Sequence, residues 1–328
     1  MNQMPKTKVL KFLPYFVYAL MLVAAAELGP LPDSQKNPAP AQTALAEAGQ
    51  PQVLGESTTT IPAVRGDAPV PTTTPQTAPI SEPDTSAISA KSFLVFDLAT
   101  GQNLLEKNGS TKLHIASLTK LMTALVAYNS DDLNQSFTIG PKDTFDVAPV
   151  LGLRQGDSVS ALDIFNAMLI GSNNDAALAL ADFTASSTGR DFVDLMNRQA
   201  QTLGMADSNF SNPLGFDNGD NYSTAEDLKI LISATEKLSA FTDLGRRQSY
   251  EFSGQLKNYS TRATNKLLAN HPDLQAIKTG YTPYSLGAMA TKVNVDGHDI
   301  VIIVLGSEDR EGDTLRLKDE VFKNLDEK

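Results

Sequence analysis

The sequence predicts an α+β fold, an antiparallel sheet covered by helices, with a mostly helical region inserted between its strands. Three observations predict it. Two apolar runs flank a turn signal between Ser92 and Asn108, helical periodicity fills the middle of the chain, and the last third changes to three strand-like runs before one amphipathic helix.

SFLVFDLATGQNLLEKN, from Ser92 to Asn108, reads as a β-hairpin about Ala99-Thr100-Gly101. SLTKLMTALVAY carries apolar residues at helical spacing, with Ser117 at its start. ALDIFNAMLI and DAALALADF are helical patterns on either side of a break from Gly171 to Asn173. RDFVDLMNRQAQTLG is a helix closed by Gly204, and STAEDLKILISATEK opens on a Ser223/Glu226 capping box. QAIKTGYT, LGAMATKVNV and DIVIIVLG then read as strands, with Asp296-Gly297 turning between the last two, and LRLKDEVFKNL is the closing helix. No internal repeat is visible.

With 328 residues, 41% of them hydrophobic, the chain can bury a substantial core. The apolar residues are unevenly spread. Between Leu28 and Ala90 there is no aromatic residue, and eleven of the 18 prolines fall there among Thr, Ala, Ser, Gln and Gly. Such a stretch cannot bury enough to offset its ordering entropy, so residues 28–90 are expected to be a disordered linker and residues 91–328 the folded domain. Ahead of the linker, Lys6, Lys8 and Lys11 precede the apolar run Phe12–Ala26, and no positive residue follows until Lys36. That asymmetry places the N-terminus in the cytoplasm and everything downstream outside. Residues 1–27 are read as a signal anchor or a signal peptide. Ala24-Ala25-Ala26 suits a cleavage site, whereas a leash of about 60 residues, reaching about 45 Å, makes physical sense behind a retained anchor.

A net charge of -11 argues against nucleic acid as a partner, which wants a basic footprint. Without cysteine there is no disulfide, thiolate nucleophile or zinc–thiolate site. His114, His271 and His298 are scattered and form no ligand pair, so neither a metal nor another cofactor is expected.

The chemistry is carried by three short motifs in order: Ser117-Leu118-Thr119-Lys120, Ser172-Asn173-Asn174 and Lys278-Thr279-Gly280. The first two each arise readily by composition, Lys-Thr-Gly at roughly a tenth of that rate, and the ordered set is the strong signal. A serine hydroxyl becomes a nucleophile when a base takes its proton, and on a helix Ser117 and Lys120 share a face. A lysine serves as base only if burial or another cation depresses its pKa, a task Lys278 would perform from across a cleft. Ser172, in a helix-to-helix break, is suited to passing a proton to a leaving group, and Asn174 to holding the lysine and a substrate amide. Ser-Asn-Asn also suits a plain helix N-cap. Lys278 and Thr279, side by side on a strand, would receive a terminal carboxylate, and Gly280 would let a substrate backbone approach the strand edge.

Together these residues resemble the penicillin-recognising serine enzymes, whose signature is the S-x-x-K, S-D-N and K-T-G trio. Within that group the chain is similar to the low-molecular-mass penicillin-binding proteins, the serine D-alanyl-D-alanine carboxypeptidases. ASLTKLMTALVA, MLIGSNNDAALALA, MNRQAQTLGM, SNPLGF, YSTAEDL, TNKLL and IKTGYT carry the likeness over nearly all of residues 91–328. The resemblance implies a β-lactamase/penicillin-binding-protein-like fold. It implies Ser117 as acylated nucleophile, Lys120 as general base, Ser172 and Asn174 in proton transfer and amide positioning, and Lys278 with Thr279 as carboxylate binders. The oxyanion hole would be the N–H groups of Ser117 and of Tyr281, the residue after Gly280. The implied substrates are peptidoglycan stem peptides, with β-lactams as inhibitors, at a site outside the cytoplasm.

Three departures from the family pattern stand out. Ile115 occupies a position where the family usually has proline. Ala263-Thr264-Asn265 lacks an arginine that assists carboxylate binding in some members. The β-sandwich domain and amphipathic membrane helix that often follow are absent, so tethering to the cytoplasmic membrane is expected through the N-terminal segment. Two other readings compete. A class A β-lactamase needs an E-x-x-L-N loop, and no such run lies between Asn174 and Lys278. An inactive wall-binding scaffold is opposed by the intact Ser117, Lys120, Ser172 and Lys278.

Overall fold

The computed structural model describes residues 85–145, 147–217 and 220–326. The apolar N-terminal run and the linker up to residue 84 lie outside the described residues, and the signal or anchor reading falls there. No helix of the described residues is long and apolar enough to cross a membrane.

The elements run β1 (Ser92–Asp97), β2 (Asn103–Lys107), a 3-10 turn (Ala116–Leu118), α1 (Thr119–Ser130), β3 (Ser136–Thr138) and β4 (Ser158–Ser160). Four helices follow: α2 (Ala161–Gly171), α3 (Asn174–Thr188), α4 (Phe192–Leu203) and α5 (Ala225–Thr235). After the short α6 (Ser239–Thr242) come β5 (Ser249–Ser253), β6 (Asn258–Arg262) and a second 3-10 turn (Lys266–Ala269). The strands β7 (Leu274–Thr282), β8 (Leu286–Val295) and β9 (His298–Ser307) and the helix α7 (Arg310–Asp326) complete the fold.

As expected, the N-terminal hairpin joins the three late strands in one antiparallel sheet, in the order β2-β1-β9-β8-β7. Both faces are covered, which is why β1 and β9 read as continuous apolar runs. On β1, Leu94 and Phe96 pack against the helical region, while Phe93 and Val95 pack with Leu317 and Val321 of α7. At about 1.5–3 kcal/mol for each large apolar side chain buried, these two layers supply most of the cohesion. The hairpin turn closes on the Asp97 carboxylate, which accepts from the N–H groups of Ala99 and Thr100 at 2.9 and 2.8 Å, and Gly101 takes the left-handed φ of 71°. Asp296 and Gly297, both at positive φ, turn β8 into β9.

The structure departs from the sequence reading at several points. The α-helix begins at Thr119, so Ser117 sits in the tighter 3-10 turn before it. The cap of α5 is Thr224, whose hydroxyl accepts from Asp227 N–H at 3.0 Å, instead of Ser223 with Glu226. Ser223 is diverted to Ser208, and Glu226 accepts from Asn103 at 2.8 Å. The hairpins β3–β4 and β5–β6 went unread, the first because its strands are three residues long and polar.

The folded unit also starts before the expected boundary at Lys91. Ile88 and Ala90 are buried, and Ser89 donates through N–H and hydroxyl to the fully buried Asp313 at 3.1 and 2.7 Å. Asp313 also accepts from Ser307 at 2.6 Å, so residues 88–90 fasten the start of α7 to the end of β9. A chain beginning at Lys91 leaves this carboxylate short of partners and exposes the pocket of Ile88. It should be less stable than one beginning at Thr85 by about 2–4 kcal/mol, measured by urea unfolding. Equal midpoints would show that the contacts of residues 88–90 contribute nothing.

Candidate active site

Ser117 is presented by a strained turn. Ala116 just before it has φ 47°, a left-handed conformation that costs a non-glycine residue about 1–3 kcal/mol. The turn is held from two sides by glycines. A Cβ on Gly215 would lie 2.0 Å from Ala116 O, and one on Gly280 would lie 2.8 Å from Ser117 N. Gly280 therefore lets strand β7 itself approach the serine turn, which corrects the expectation that it clears room for substrate. Ile115, in place of proline, is fully buried as the residue that opens the turn.

Lys120, one turn on, is fully buried. Its Nζ donates to Ser117 Oγ at 3.0 Å, Asn174 Oδ1 at 2.9 Å and Leu214 O at 2.6 Å. Burial pushes the amine down to about 7. In the neutral amine two N–H bonds still serve Asn174 and Leu214, and the lone pair turns to Ser117, whose hydroxyl then donates. The geometry thus suits a base with one acceptor site, aimed at one hydroxyl.

The second motif occupies the α2–α3 junction. Ser172 ends α2 in the left-handed conformation, with φ 57°, and Asn173 is the N-cap residue of α3 but makes no side-chain cap bond. The plain N-cap reading of Ser-Asn-Asn is therefore not what the side chains do. Gly171 is required by crowding, since a Cβ there would lie 1.8 Å from Thr261 Oγ1. Asn174 donates through Nδ2 to Val147 O at 2.8 Å while Oδ1 holds Lys120, which leaves one amide N–H for a ligand.

The third motif lies on β7 as expected, at the open edge of the five-stranded sheet. Lys278 Nζ donates to Ser172 Oγ at 2.7 Å and to Thr279 O at 2.9 Å. Its pKa is lowered strongly, by burial first and then by the charges of Lys120 and Arg310. The lowering of Lys120 is accounted for by burial, whereas Lys278 is lowered by burial and then by its cationic neighbours. The Thr279 and Thr264 hydroxyls are in contact, which ties the Ala263-Thr264-Asn265 segment to the strand. Tyr281 is 65% exposed beside the serine turn. Among the described residues no group of three or more histidine or acidic side chains is placed to hold a metal ion.

The sequence reading missed three residues that shape this site. Asp175, fully buried, accepts from the N–H groups of Leu151, Gly152 and Leu153 at 2.8, 2.7 and 3.0 Å and so fixes the loop whose Val147 and Pro149 carbonyls bind Asn174. Asn212 Oδ1 accepts from Leu214, Gly215 and Phe216, curling SNPLGF until Leu214 O meets Lys120. Arg310 at the start of α7 donates to Gly280 O at 2.6 Å, placing a guanidinium beside β7 although Ala263-Thr264-Asn265 carries none. An Asx residue before Pro-x-Gly was a legible turn signal; the other two act across more than 20 residues.

With this geometry in hand, comparison places the chain. A family model described as D-alanyl-D-alanine carboxypeptidase matches residues 76–309, and the chain belongs to that peptidase family. It is 29% identical over 249 residues to D-alanyl-D-alanine carboxypeptidase DacF of Bacillus subtilis, covering 73% of this chain and 64% of that protein. It is 31% identical over 240 residues to D-alanyl-D-alanine carboxypeptidase DacC of Escherichia coli, covering 68% of this chain and 58% of that one. The chain therefore matches less than two thirds of the length of these curated relatives. The crystal structure of the Streptomyces K15 DD-transpeptidase superposes with a TM-score of 0.67 at 27% identity, over 72% of this chain and 98% of that chain. The penicillin-binding-protein-like fold expected from the sequence is the fold observed.

Asp175→Ala should cost about 3 kcal/mol in thermal or urea unfolding, because three backbone donors lose a charged acceptor in a buried place. It should also slow acylation by a penicillin, through loss of the Asn174 anchor. A variant as stable and as fast as the parent would remove Asp175 from the support of the site.

Proposed function

We propose that this chain is a serine hydrolase that removes the C-terminal D-alanine from peptidoglycan stem peptides through an acyl-enzyme. The observation that carries the reading is the 3.0 Å contact between Ser117 Oγ and a fully buried Lys120 amine brought down to about 7. A base of that strength is half neutral at neutral pH, which is where general base catalysis is most effective.

In the first step Ser117 Oγ bonds to the carbonyl carbon of the penultimate D-alanine while its proton moves to Lys120 Nζ. The developing oxyanion would sit against the N–H groups of Ser117 and Tyr281. The Leu118 and Thr119 N–H groups close the 3-10 turn, and Ser117 N lies beside Gly280 of β7. The C–N bond to the terminal D-alanine then breaks, and its amine takes a proton delivered through Ser172. That proton is the one Lys120 received, so the lysine is neutral again; water then gives a proton to Lys120 as its oxygen bonds to the ester carbonyl carbon, and Lys120 passes it to Ser117 Oγ as the ester C–O bond breaks and the shortened peptide leaves.

Lys278, Thr279 and Arg310 form the positive and hydrogen-bonding wall for the substrate's terminal carboxylate. The arriving anion favours the charged form of Lys278, so binding draws a proton onto an amine that burial and two cations hold low in the free protein. The same acyl chemistry accounts for covalent labelling by β-lactams, and the family membership supports both readings. Action outside the cytoplasm, with tethering to the cytoplasmic membrane through residues 1–27, rests on the charge asymmetry around Phe12–Ala26.

The test is D-alanine release from a pentapeptide ending in D-Ala-D-Ala, run beside labelling by a fluorescent penicillin. Ser117→Ala should abolish both and leave the domain folded, and Lys120→Arg, which keeps charge but cannot act as base, should slow acylation at least about a hundredfold. Labelling that survives in Ser117→Ala would move the nucleophile elsewhere.

A further inference from the structure

Arg310 directs its shortest contact at one backbone carbonyl. Its Nη1 donates to Gly280 O at 2.6 Å, while Nε reaches Glu311 at 3.1 Å. The carbonyl matters because of the peptide group it belongs to. Gly280 C=O and Tyr281 N–H are the two ends of one planar unit, and that N–H is one of the two donors read as the oxyanion hole.

The sheet fixes which way each end points. The bond from Gly280 to Tyr281 is trans, so its carbonyl and its N–H leave β7 on opposite sides. β7 is an edge strand with β8 on one side only. An N–H turned to the open edge therefore has its carbonyl turned toward β8, and Arg310 meets the carbonyl there. The faces of the sheet are equally distinct. Gly280 pairs with Ala288 and Tyr281 with Gly287, and Ala288 packs with the helical region whereas Met289 packs in the layer of α7. Gly280 accordingly faces the serine turn and Gly287 faces α7. A Cβ on Gly280 would lie 2.8 Å from Ser117 N, and one on Gly287 would lie 3.0 and 3.2 Å from Arg310 Cβ and Cδ. Gly287 thus clears the path along which the arginine stem passes over β8 to reach β7. The Gly280–Tyr281 peptide is held between the nucleophile's turn on one face and a guanidinium that arrives from the other.

We propose that Arg310 is a positioning residue for oxyanion stabilisation: by binding Gly280 O it fixes and polarises the Gly280–Tyr281 peptide, so that Tyr281 N–H is aimed at the oxygen that gains charge when Ser117 attacks. The inference rests on the reading of Ser117 as the acylated nucleophile, and it adds what holds the second oxyanion donor in place. The size of the effect is bounded by general experience. Losing an oxyanion-hole donor outright costs about 100- to 1,000-fold in rate. Losing a bond that orients and polarises a donor leaves the donor present, so about tenfold is expected. A role confined to the substrate's carboxylate makes a different prediction, because it disappears with a ligand that has none.

The chain contains one Gly-Tyr pair, so carbon-13 carbonyl glycine combined with nitrogen-15 tyrosine isolates this peptide group in the NMR spectrum of the full chain. Parent and Arg310→Met are titrated with phenylboronic acid, which carries no carboxylate. Its boron bonds to Ser117 Oγ as the serine proton passes to Lys120, and the tetrahedral anion that forms places an oxygen at the oxyanion donors. In Arg310→Met the Tyr281 nitrogen resonance of the free protein should move upfield, because the carbonyl of its peptide group has lost a donor. Affinity for the boronic acid should fall about tenfold, and the maximal rate of acylation by a penicillin by a similar factor. Arg310→Lys, which keeps a cationic donor on a shorter stem, should fall between the two in all three measurements, and it supplies the reading if the methionine variant does not fold. A boronic acid affinity within about twofold of the parent would overturn the inference, and slowed penicillin acylation beside it would confine Arg310 to the carboxylate. A loss of affinity with the Tyr281 resonance unmoved would overturn it too, since the charge would then act without the peptide group. A parent that neither takes the boronic acid nor is acylated by a penicillin would overturn the hydrolase itself, and this inference with it.

Discussion

Everything in this site depends on one amine being taken out of water. Lys120 is fully buried and surrounded by three oxygen acceptors, none of them a carboxylate. A carboxylate in place of any of them would hold the proton on and make a structural ion pair. Neutral oxygens satisfy the hydrogen-bonding capacity of the amine without compensating its charge, and burial then disfavours the ammonium by about 5 kcal/mol relative to water. The fold bears this as a cost. From about pH 7 up to the ordinary lysine value of 10.5 the unfolded chain carries the proton and the folded chain does not, so the penalty on folding eases as pH rises through that window. Lys278, shifted in the same direction by burial and by its two cationic neighbours, reinforces the trend.

The cost is carried by packing at a distance. The sheet, apolar on both faces, is a rigid edge against which the serine turn can be pressed, and the pressing is visible in the two glycines that leave no room for a side chain. Gly280 brings β7 against Ser117 N, and Gly215 brings the Leu214 carbonyl loop against Ala116 O. The left-handed conformations at Ala116 and Ser172 are the local strain that results, one on each side of the cleft. Nucleophile, base and proton relay are thus positioned by three segments far apart in sequence, each braced by a backbone contact.

Much of this was legible in the chain. Apolar runs with Gly or Asp-Gly turns marked the five strands, and the spacing Ser117 to Lys120 placed an amine within reach of a hydroxyl whether the turn proved 3-10 or α. What the sequence hid is long-range. Nothing local says that Asp175 will gather three N–H groups from residues 151–153, or that Arg310 will lie beside Gly280. The boundary at Lys91 was misread for a related reason. Composition reports the average of a stretch, whereas Ile88 and Ser89 matter through single contacts, one apolar and one to a buried carboxylate.

The role of Lys120 as base is tested most directly by the pH dependence of single-turnover acylation by a penicillin. Only the neutral amine can take the Ser117 proton, so the rate should climb about tenfold per pH unit on the acid side, bend at about pH 7, and level above it. The bend should vanish in Lys120→Arg. A rate that is flat from about pH 5 to 9, or one still climbing tenfold per unit at about pH 9, would contradict a buried lysine base.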